Sequence, residues 1–234
     1  MNGETINHRR DDLRSFGRKR GRKASPRQRR MIDEALPRLR VDLANLPKDP
    51  LAAFFSNRVS EVWLEIGFGG AEHLVHQAVA HPGVGFIGCE PFEDGVIKAL
   101  SAIKDHGLGN VRLHPDDVRP LLRVLPSSSL AKVFILFPDP WPKARHAKRR
   151  LVSKALLDEL ARVMQTGAEL RVATDIAAYA RTVLEAATPH PAFGWTATSA
   201  ADWRTPWPDW PGTRYEAKAL REGRRPMFFT FVRT

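Results

Sequence analysis

VSEVWLEIGFGGAEHLVHQAVA, residues 59–80, changes character twice within its length. VSEVWLEI is an apolar run that reads as a short strand ending in Glu65 and Ile66. Gly67-Phe68-Gly69-Gly70 follows at once, and AEHLVHQAVA then spaces its apolar residues as a helix does, from about Ala71 to Ala80. Strand, glycine-rich turn and helix in this order let a backbone approach a nucleotide-like ligand closely. A second strand, Val84 to Cys89, closes on Glu90, 23 residues after Gly67. That is close to the separation at which an acidic side chain at the end of a second strand meets ribose hydroxyls. A GxG alone also fits a tight structural turn; the pairing with the second strand and Glu90 favours a ligand.

The chemistry of the ligand follows from the acids around the turn. A pyrophosphate wants the positive end of the helix dipole, yet Glu72 stands in the first helical turn and Glu65 immediately before the glycines. A cationic ligand escapes both repulsions. S-adenosylmethionine, with a sulfonium, an α-amine and an adenosine, is such a ligand.

Outward from the turn, residues 93–106 read as a helix closed by Gly107, and Asn110 to His114 as a strand leading into Pro115-Asp116-Asp117. A carboxylate there stands at the carboxyl edge of the sheet, within reach of an adenine amino group. Asp116 is the first choice and Asp117 the second, with a plain surface turn as the alternative. AKVFILF, 131–137, is the continuous apolar run of a strand buried in a parallel sheet. It stops at Pro138-Asp139-Pro140-Trp141-Pro142, whose prolines hold an extended path around Asp139. The basic segment from Lys143 to Arg150 then leads into a helix expected near Leu151. Arg149 and Arg150 at such a helix start would oppose its dipole and call for an anion, such as an RNA phosphate. GAELRVATD, 167–175, reads as a fifth strand, with a helix from Ile176 to the breaker Pro189. FGWTATS and PMFFTFVRT are two further strands, separated by a loop and a short helical stretch. The intervening DWRTPWPDWPG, 202–212, holds three of the six tryptophans, which pack against the domain or line a binding stripe.

The net charge of +11 and the pI near 10.4 point to a polyanionic partner. Residues 1–30 carry eleven Lys or Arg against Glu4, Asp11 and Asp12, which leaves +3 for the other 204 residues. Residues 1–36 therefore read as a basic, flexible RNA-binding arm, with a disordered solubilising tail as the alternative, and 37–234 as one domain. A proline-spaced connector from Pro37 to Pro50 and the packed turn LAAFF, 51–55, would cover one edge of the core. No apolar run is long enough to cross a bilayer, so the expected setting is cytoplasmic, without a membrane partner. Cys89 is expected to be a buried thiol, and the histidines lack the spacing of metal ligands, so no metal is expected.

Five motifs together carry a resemblance: EIGFG at 65–69, Glu90, FPDPWPKARHAKRR at 137–150, Thr174-Asp175, and Thr213-Arg214-Tyr215-Glu216. With the opening Arg14 to Arg22, the chain resembles the bacterial single-subunit tRNA (guanine-N7)-methyltransferases from residue 14 to about 216 and on into the last strand. The resemblance implies an α/β, Rossmann-like S-adenosylmethionine-dependent methyltransferase fold. Its sheet is seven-stranded and mostly parallel, in the order 3-2-1-4-5-7-6, with the last strand antiparallel. It implies that Gly67 and Gly69 form the cofactor turn, Glu65 lies near the methionine part, Glu90 binds the ribose and Asp116 helps place adenine. Asp139 would sit at the reaction centre, touching the cofactor and acting catalytically. Lys143, Asp175, Thr213, Arg214, Tyr215 and Glu216 would hold the target, the guanine at position 46 of the tRNA variable loop. The products would be 7-methylguanosine and S-adenosylhomocysteine, and no obligate protein partner is implied. Ala71 departs from the family, which often has a third glycine there, and adds a methyl at the helix start.

Guanine N7 has an in-plane lone pair and no proton, so the reaction needs no general base. The site has to hold N7, methyl and sulfur in line. Asp139 or Asp175 would stabilise the charge developing on the purine or accept from the N1–H and N2 amino edge. Trp141 and Tyr215 are candidate platforms for a base that leaves its stack. The rival readings are a methyltransferase for rRNA, other RNA or protein, a nicotinamide oxidoreductase, and a non-catalytic RNA-binding module.

Overall fold

The computed structural model describes residues 19, 21, 24–43, 54–55 and 59–234. Strands β1 (Glu61–Ile66), β2 (Val84–Cys89), β3 (Val111–His114) and β4 (Leu130–Leu136) are buried along most of their length, β2 at every position. Parallel strands covered on both faces demand such unbroken apolar runs. With β5 (Met164–Thr174), β6 (Phe193–Trp195) and β7 (Met227–Arg233) they form one sheet in the order β3-β2-β1-β4-β5-β7-β6. Strand β7 runs antiparallel to both β5 and β6, and the remaining pairs are parallel. The expected order and the expected antiparallel last strand are both present.

Helices cover the two faces. On one, α1 (Pro26–Leu39), α2 (Glu72–Ala80) and α3 (Glu93–Asp105) pack Leu36, Leu74 and Leu100 over Phe86 and Phe134. On the other, α4 (Val118–Val124), α5 (Lys154–Val163) and α6 (Ala177–Ala187) bury Leu121, Leu157 and Tyr179 over Ile87 and Ile135. Two short helices, α7 (Ala200–Arg204) and α8 (Arg214–Arg221), lie between β6 and β7. Cys89 is buried, and burial pushes its thiol well above the usual range.

The structure departs from the sequence reading in three places. Residues 26–36 are helical, and the boundary drawn at residue 36 falls inside α1. The reason is local: Ser25 and Gln28 form a reciprocal capping box around Pro26 at the first helical position, while Met31, Ile32, Ala35, Leu36 and Leu39 make an apolar stripe against the core. The density of charge hid that stripe. Arm residues 1–18, 20, 22 and 23 and connector residues 44–53 and 56–58 lie outside the described residues; of LAAFF, Phe54 and Phe55 are described.

The helix expected near Leu151 starts at Lys154, where Ser153 caps it. The basic run is instead a 3-10 helix, Ala144–Arg149. Arg149 and Arg150 therefore stand at a helix C-terminus, where cations are favoured, and the expected conflict with a dipole does not arise. Strand β5 starts at Met164, with an irregular register opposite Leu130 and Lys132, and β6 is three residues long where seven were expected.

Candidate active site

The carboxyl ends of β1 to β4 open onto a crevice of about 360 Å³, walled by Gly67, Gly69, Glu90, Asp116, Asp139 and Tyr215 among others. It lies where β1 is flanked by β2 on one side and β4 on the other, the switch point at which such sheets bind ligands. Its volume falls in the range of roughly 300–1,000 Å³ of small-molecule sites.

The floor is the glycine turn. Gly67 and Gly69 adopt φ of +77° and +55°, so both use the left-handed region that glycine enters without strain. Ala71 adopts φ +66° at the N-cap of α2 and is buried. The expectation that alanine merely adds a methyl there is incomplete: the backbone itself is in a region costly for a residue with a Cβ.

Glu90 holds the turn from the side. Its Oε2 accepts from the Gly69 amide at 2.8 Å and its Oε1 from the Phe92 amide at 2.9 Å. Burial pushes its carboxyl above the ordinary range; the two amides and Arg214 pull it down, and Asp139 adds to the rise.

Two acids that follow β3 line the crevice, and they differ. Asp117 is the N-cap of α4, accepting from the Arg119 amide at 2.9 Å and from its guanidinium at 2.6 Å. Asp116 is half-exposed and meets the Lys19 ammonium at 3.1 Å. Partial burial raises its carboxyl, but the Asp117 amide and Lys19 outweigh that and hold it below the usual carboxylate range. Capping employs Asp117 within the fold and leaves Asp116 as the more open acid.

Asp139 comes from the loop after β4. Phe137 and Trp141, on either side of Pro138-Asp139-Pro140, adopt φ of +49° and +41°. Such conformations cost about 1–3 kcal/mol each for non-glycine residues and persist where surrounding packing enforces them. Asp139 is exposed, and among the described residues no hydrogen bond or ion pair holds its carboxylate. The Arg149 guanidinium lies 5.0 Å from the centre of the Trp141 ring, and the His146 ring meets the same indole edge-on.

Arg150 turns inward. It donates to the Pro140 and Ala178 carbonyls, each at 3.1 Å, and to Thr182 Oγ1. It thereby ties the Asp139 loop to α6. Charged hydrogen bonds of this kind contribute about 1.5–3 kcal/mol. Arg150→Ala is therefore expected to lower Tm by roughly 3–10 °C in a thermal melt of the ligand-free protein.

Other expected site residues stand back from the crevice. Glu65 is buried, with Oε2 at 2.7 Å from His73 Nδ1, and does not contribute to the wall. Of Lys143, Asp175, Thr213, Arg214, Tyr215 and Glu216, Tyr215 lines the crevice and the other five do not. Lys143 is exposed at the N-cap of the 3-10 helix. Asp175 is paired with Arg224 at 2.6 Å. Thr213 caps α8, accepting from the Glu216 amide at 3.2 Å, and Glu216 Oε2 accepts from the Trp210 indole at 2.6 Å. Arg214 lies 3.7 Å from Glu72 and donates to the Tyr215 hydroxyl at 3.1 Å.

Sequence reasoning did not single out Phe92, Arg119 or Leu151, which also line the crevice. Arg119 had a readable signal, two residues beyond an N-cap aspartate; Phe92 and Leu151 had none. Among the described residues no three His, Cys, Asp or Glu side chains cluster as metal ligands would, and no helix is long and apolar enough to cross a membrane.

Residues 60–229 match a family model described as "Putative methyltransferase". A tRNA (guanine-N(7)-)-methyltransferase of Rhodospirillum rubrum is 50% identical over 227 residues, covering 95% of this chain and 89% of that protein. One of Mesorhizobium japonicum is 50% identical over 219 residues, covering 93% and 94%. Among solved structures, the 16S rRNA methyltransferase KamB superposes with a TM-score of 0.51 at 14% identity over 81% of this chain and 95% of that one, a likeness of fold.

Proposed function

The chain belongs to the tRNA (guanine-N(7)-)-methyltransferase family, and from that membership we propose how its crevice performs the reaction. It is an S-adenosylmethionine-dependent enzyme that methylates N7 of a guanine in tRNA. The target in this reading is the guanine at position 46 of the variable loop, carried over from the motifs that the chain shares with its family.

The crevice suits a cation with a nucleoside attached. A methyl placed on Gly70 would lie 2.5 Å from Glu72 Oε1, so that carboxylate folds against the turn where a pyrophosphate would need the helix dipole. Glu90, Asp116 and Asp139 add negative charge around the same space. The bound cofactor supplies a methyl group on a sulfonium. Glu90, fixed by two amides, would accept from the ribose hydroxyls, and Asp116 would accept from the adenine amino group in place of Lys19. Glu65 would support the methionine end indirectly, by holding His73 in α2. Asp139, on its strained loop at the crevice, would stand at the reaction centre and stabilise the positive charge developing on the purine. Trp141 and Tyr215, which line the crevice with Asp139, offer faces for the extruded base. Lys143, Arg214 and the exposed basic residues of the 3-10 helix meet the RNA backbone. Asp175 supports the rim through Arg224.

The observation that carries this reading is the convergence of Glu90, gripping Gly69, and the open Asp139 carboxylate on one crevice. Transfer of labelled methyl from S-adenosylmethionine to unmodified tRNA, followed by nucleoside analysis and positional mapping, tests it. 7-Methylguanosine in the variable loop is expected; label at another guanine would refute the position, and no label despite cofactor binding would refute the substrate.

Glu90 also sets a pH dependence. A carboxyl raised in the folded state favours folding below its unfolded value near 4.5, and that contribution is lost as pH rises through the raised value. Ribose hydroxyls prefer the ionised form as acceptor. Between about pH 4.5 and neutrality, calorimetry is expected to show affinity for S-adenosylhomocysteine rising, while Glu90's part in ligand-free stability falls. An affinity independent of pH across that window would remove Glu90 from the ribose.

The arm N-terminal to α1 is assigned to the RNA backbone. Deleting residues 1–22 is expected to weaken tRNA association tenfold or more near 0.15 M salt and to flatten its salt dependence. Cofactor affinity should not fall in step, because the deletion frees Asp116 from Lys19. Filter binding at several salt concentrations, beside calorimetry, separates the two effects.

A further inference from the structure

Trp210 belongs to the tryptophan- and proline-rich loop between α7 and α8, away from the crevice wall, yet it touches α8 and the Asp139 loop, which supply wall residues, and α2, which follows the glycine turn. Its indole N–H donates to Glu216 Oε2 at 2.6 Å, in the first turn of α8 beside Tyr215. Its ring lies 5.3 Å from the ring of His73, in the first turn of α2, which begins at the glycine turn. The ring of Phe137, the positive-φ residue at the root of the Asp139 loop, is 6.3 Å away.

The loop is itself anchored. Asp209 takes two hydrogen bonds from Arg171 Nη1, at 2.7 and 3.0 Å, and its carbonyl accepts from Gln77 Nε2 in α2 at 3.1 Å. His73 is fixed in turn by Glu65 at 2.7 Å. The Trp210 ring packs on Trp207 and Phe228, so its position is determined from below. Next to Glu216 in α8, Tyr215 lies over the turn: a methyl on Gly69 would be 2.9 Å from its ring.

We infer that Trp210 is a positioning residue for tRNA. By holding Glu216 it fixes the first turn of α8, and so seats Arg214 and Tyr215 at the crevice mouth in register with the glycine turn and the Asp139 loop. Glu216 acts through Trp210 and does not itself contact RNA. The inference rests on tRNA being the substrate and adds a role for a residue outside the family motifs described above. It also gives the loop a purpose beyond burying its indoles.

Trp210→Phe keeps an aromatic ring against His73, Phe137 and Phe228 and removes the N–H. It is expected to raise KM for tRNA about tenfold, leave kcat within about threefold, and leave the Kd for S-adenosylhomocysteine within about twofold. Glu216→Leu removes the acceptor and should match Trp210→Phe. The double variant Trp210→Phe/Glu216→Leu should be no worse than either single one, because both break one bond. Unchanged KM in Trp210→Phe, an equal loss of cofactor affinity, or additive losses in the double variant would overturn the inference. If Trp210→Phe does not fold, Glu216→Leu decides: a roughly tenfold rise in KM for tRNA with cofactor affinity kept supports the inference, and an unchanged KM overturns it. Wild-type enzyme that makes no 7-methylguanosine in tRNA would instead count against the substrate assignment, so the two failures are distinguishable.

Discussion

Asp139→Ala is expected to reduce single-turnover methylation of tRNA by about 100-fold or more, in the range seen when one preorganised electrostatic group is removed from a reaction centre. The substitution should move Tm little, because Asp139 is exposed and no described residue depends on its carboxylate. The strained backbone on either side explains why the loss should be specific. Phe137 and Trp141 are held at positive φ by ring packing against Trp210 and by Arg149 over Trp141, so the loop keeps its path when the side chain between them is shortened. Asp175 cannot take over, because Arg224 engages it at 2.6 Å. Asp139→Asn separates two contributions. An amide retains an acceptor oxygen for the guanine edge and loses the charge, so near-complete loss in both variants assigns the charge as the active property. Substantial activity in Asn with loss in Ala assigns hydrogen bonding. Wild-type rates in the alanine variant would remove Asp139 from the reaction centre.

Most of the frame was legible from β1, the GFGG turn and Glu90, because buried parallel strands announce themselves as unbroken apolar runs and a ligand turn as adjacent glycines. The strand order came from family resemblance, since periodicity within a strand says nothing about its neighbours. What escaped the sequence reading shares a physical cause: it depends on which partner a side chain finds. Glu65 and Glu216 are carboxylates in family motifs, and nothing in their spacing reveals that one bonds His73 and the other an indole 6 residues earlier in the chain. Arg150 looks like its exposed basic neighbours until its three acceptors in the Asp139 loop and α6 are seen. Helix α1 was obscured for a different reason, because net charge is a property of the whole segment and its apolar stripe occupies one face.

The glycine turn is clamped from two sides, which makes Gly95, outside the turn, the more sensitive position. Gly95 lies in the first turn of α3, and a methyl there would be 2.4 Å from the Gly69 carbonyl oxygen and 3.0 Å from Glu90 Cγ. Neither is the free end of a flexible side chain. The carbonyl is backbone, and Glu90 is pinned by the Gly69 and Phe92 amides. Gly95→Ala must therefore push α3 away from the turn or displace Gly69 toward Tyr215. Overpacking of this kind costs about 1–3 kcal/mol, and here it falls on the geometry that binds the cofactor. The expected result is a loss of affinity for S-adenosylhomocysteine of tenfold to more than 100-fold, about 1.4 kcal/mol for each factor of ten, with Tm lowered by a few degrees. Gly83→Ala is the matched control, because a methyl there meets nothing within 4 Å and its φ is ordinary; it should bind as wild type does. If Gly95→Ala bound the cofactor normally, the turn would have to relax without cost, and the clamp formed by α3, Glu90 and Tyr215 would not be what holds it.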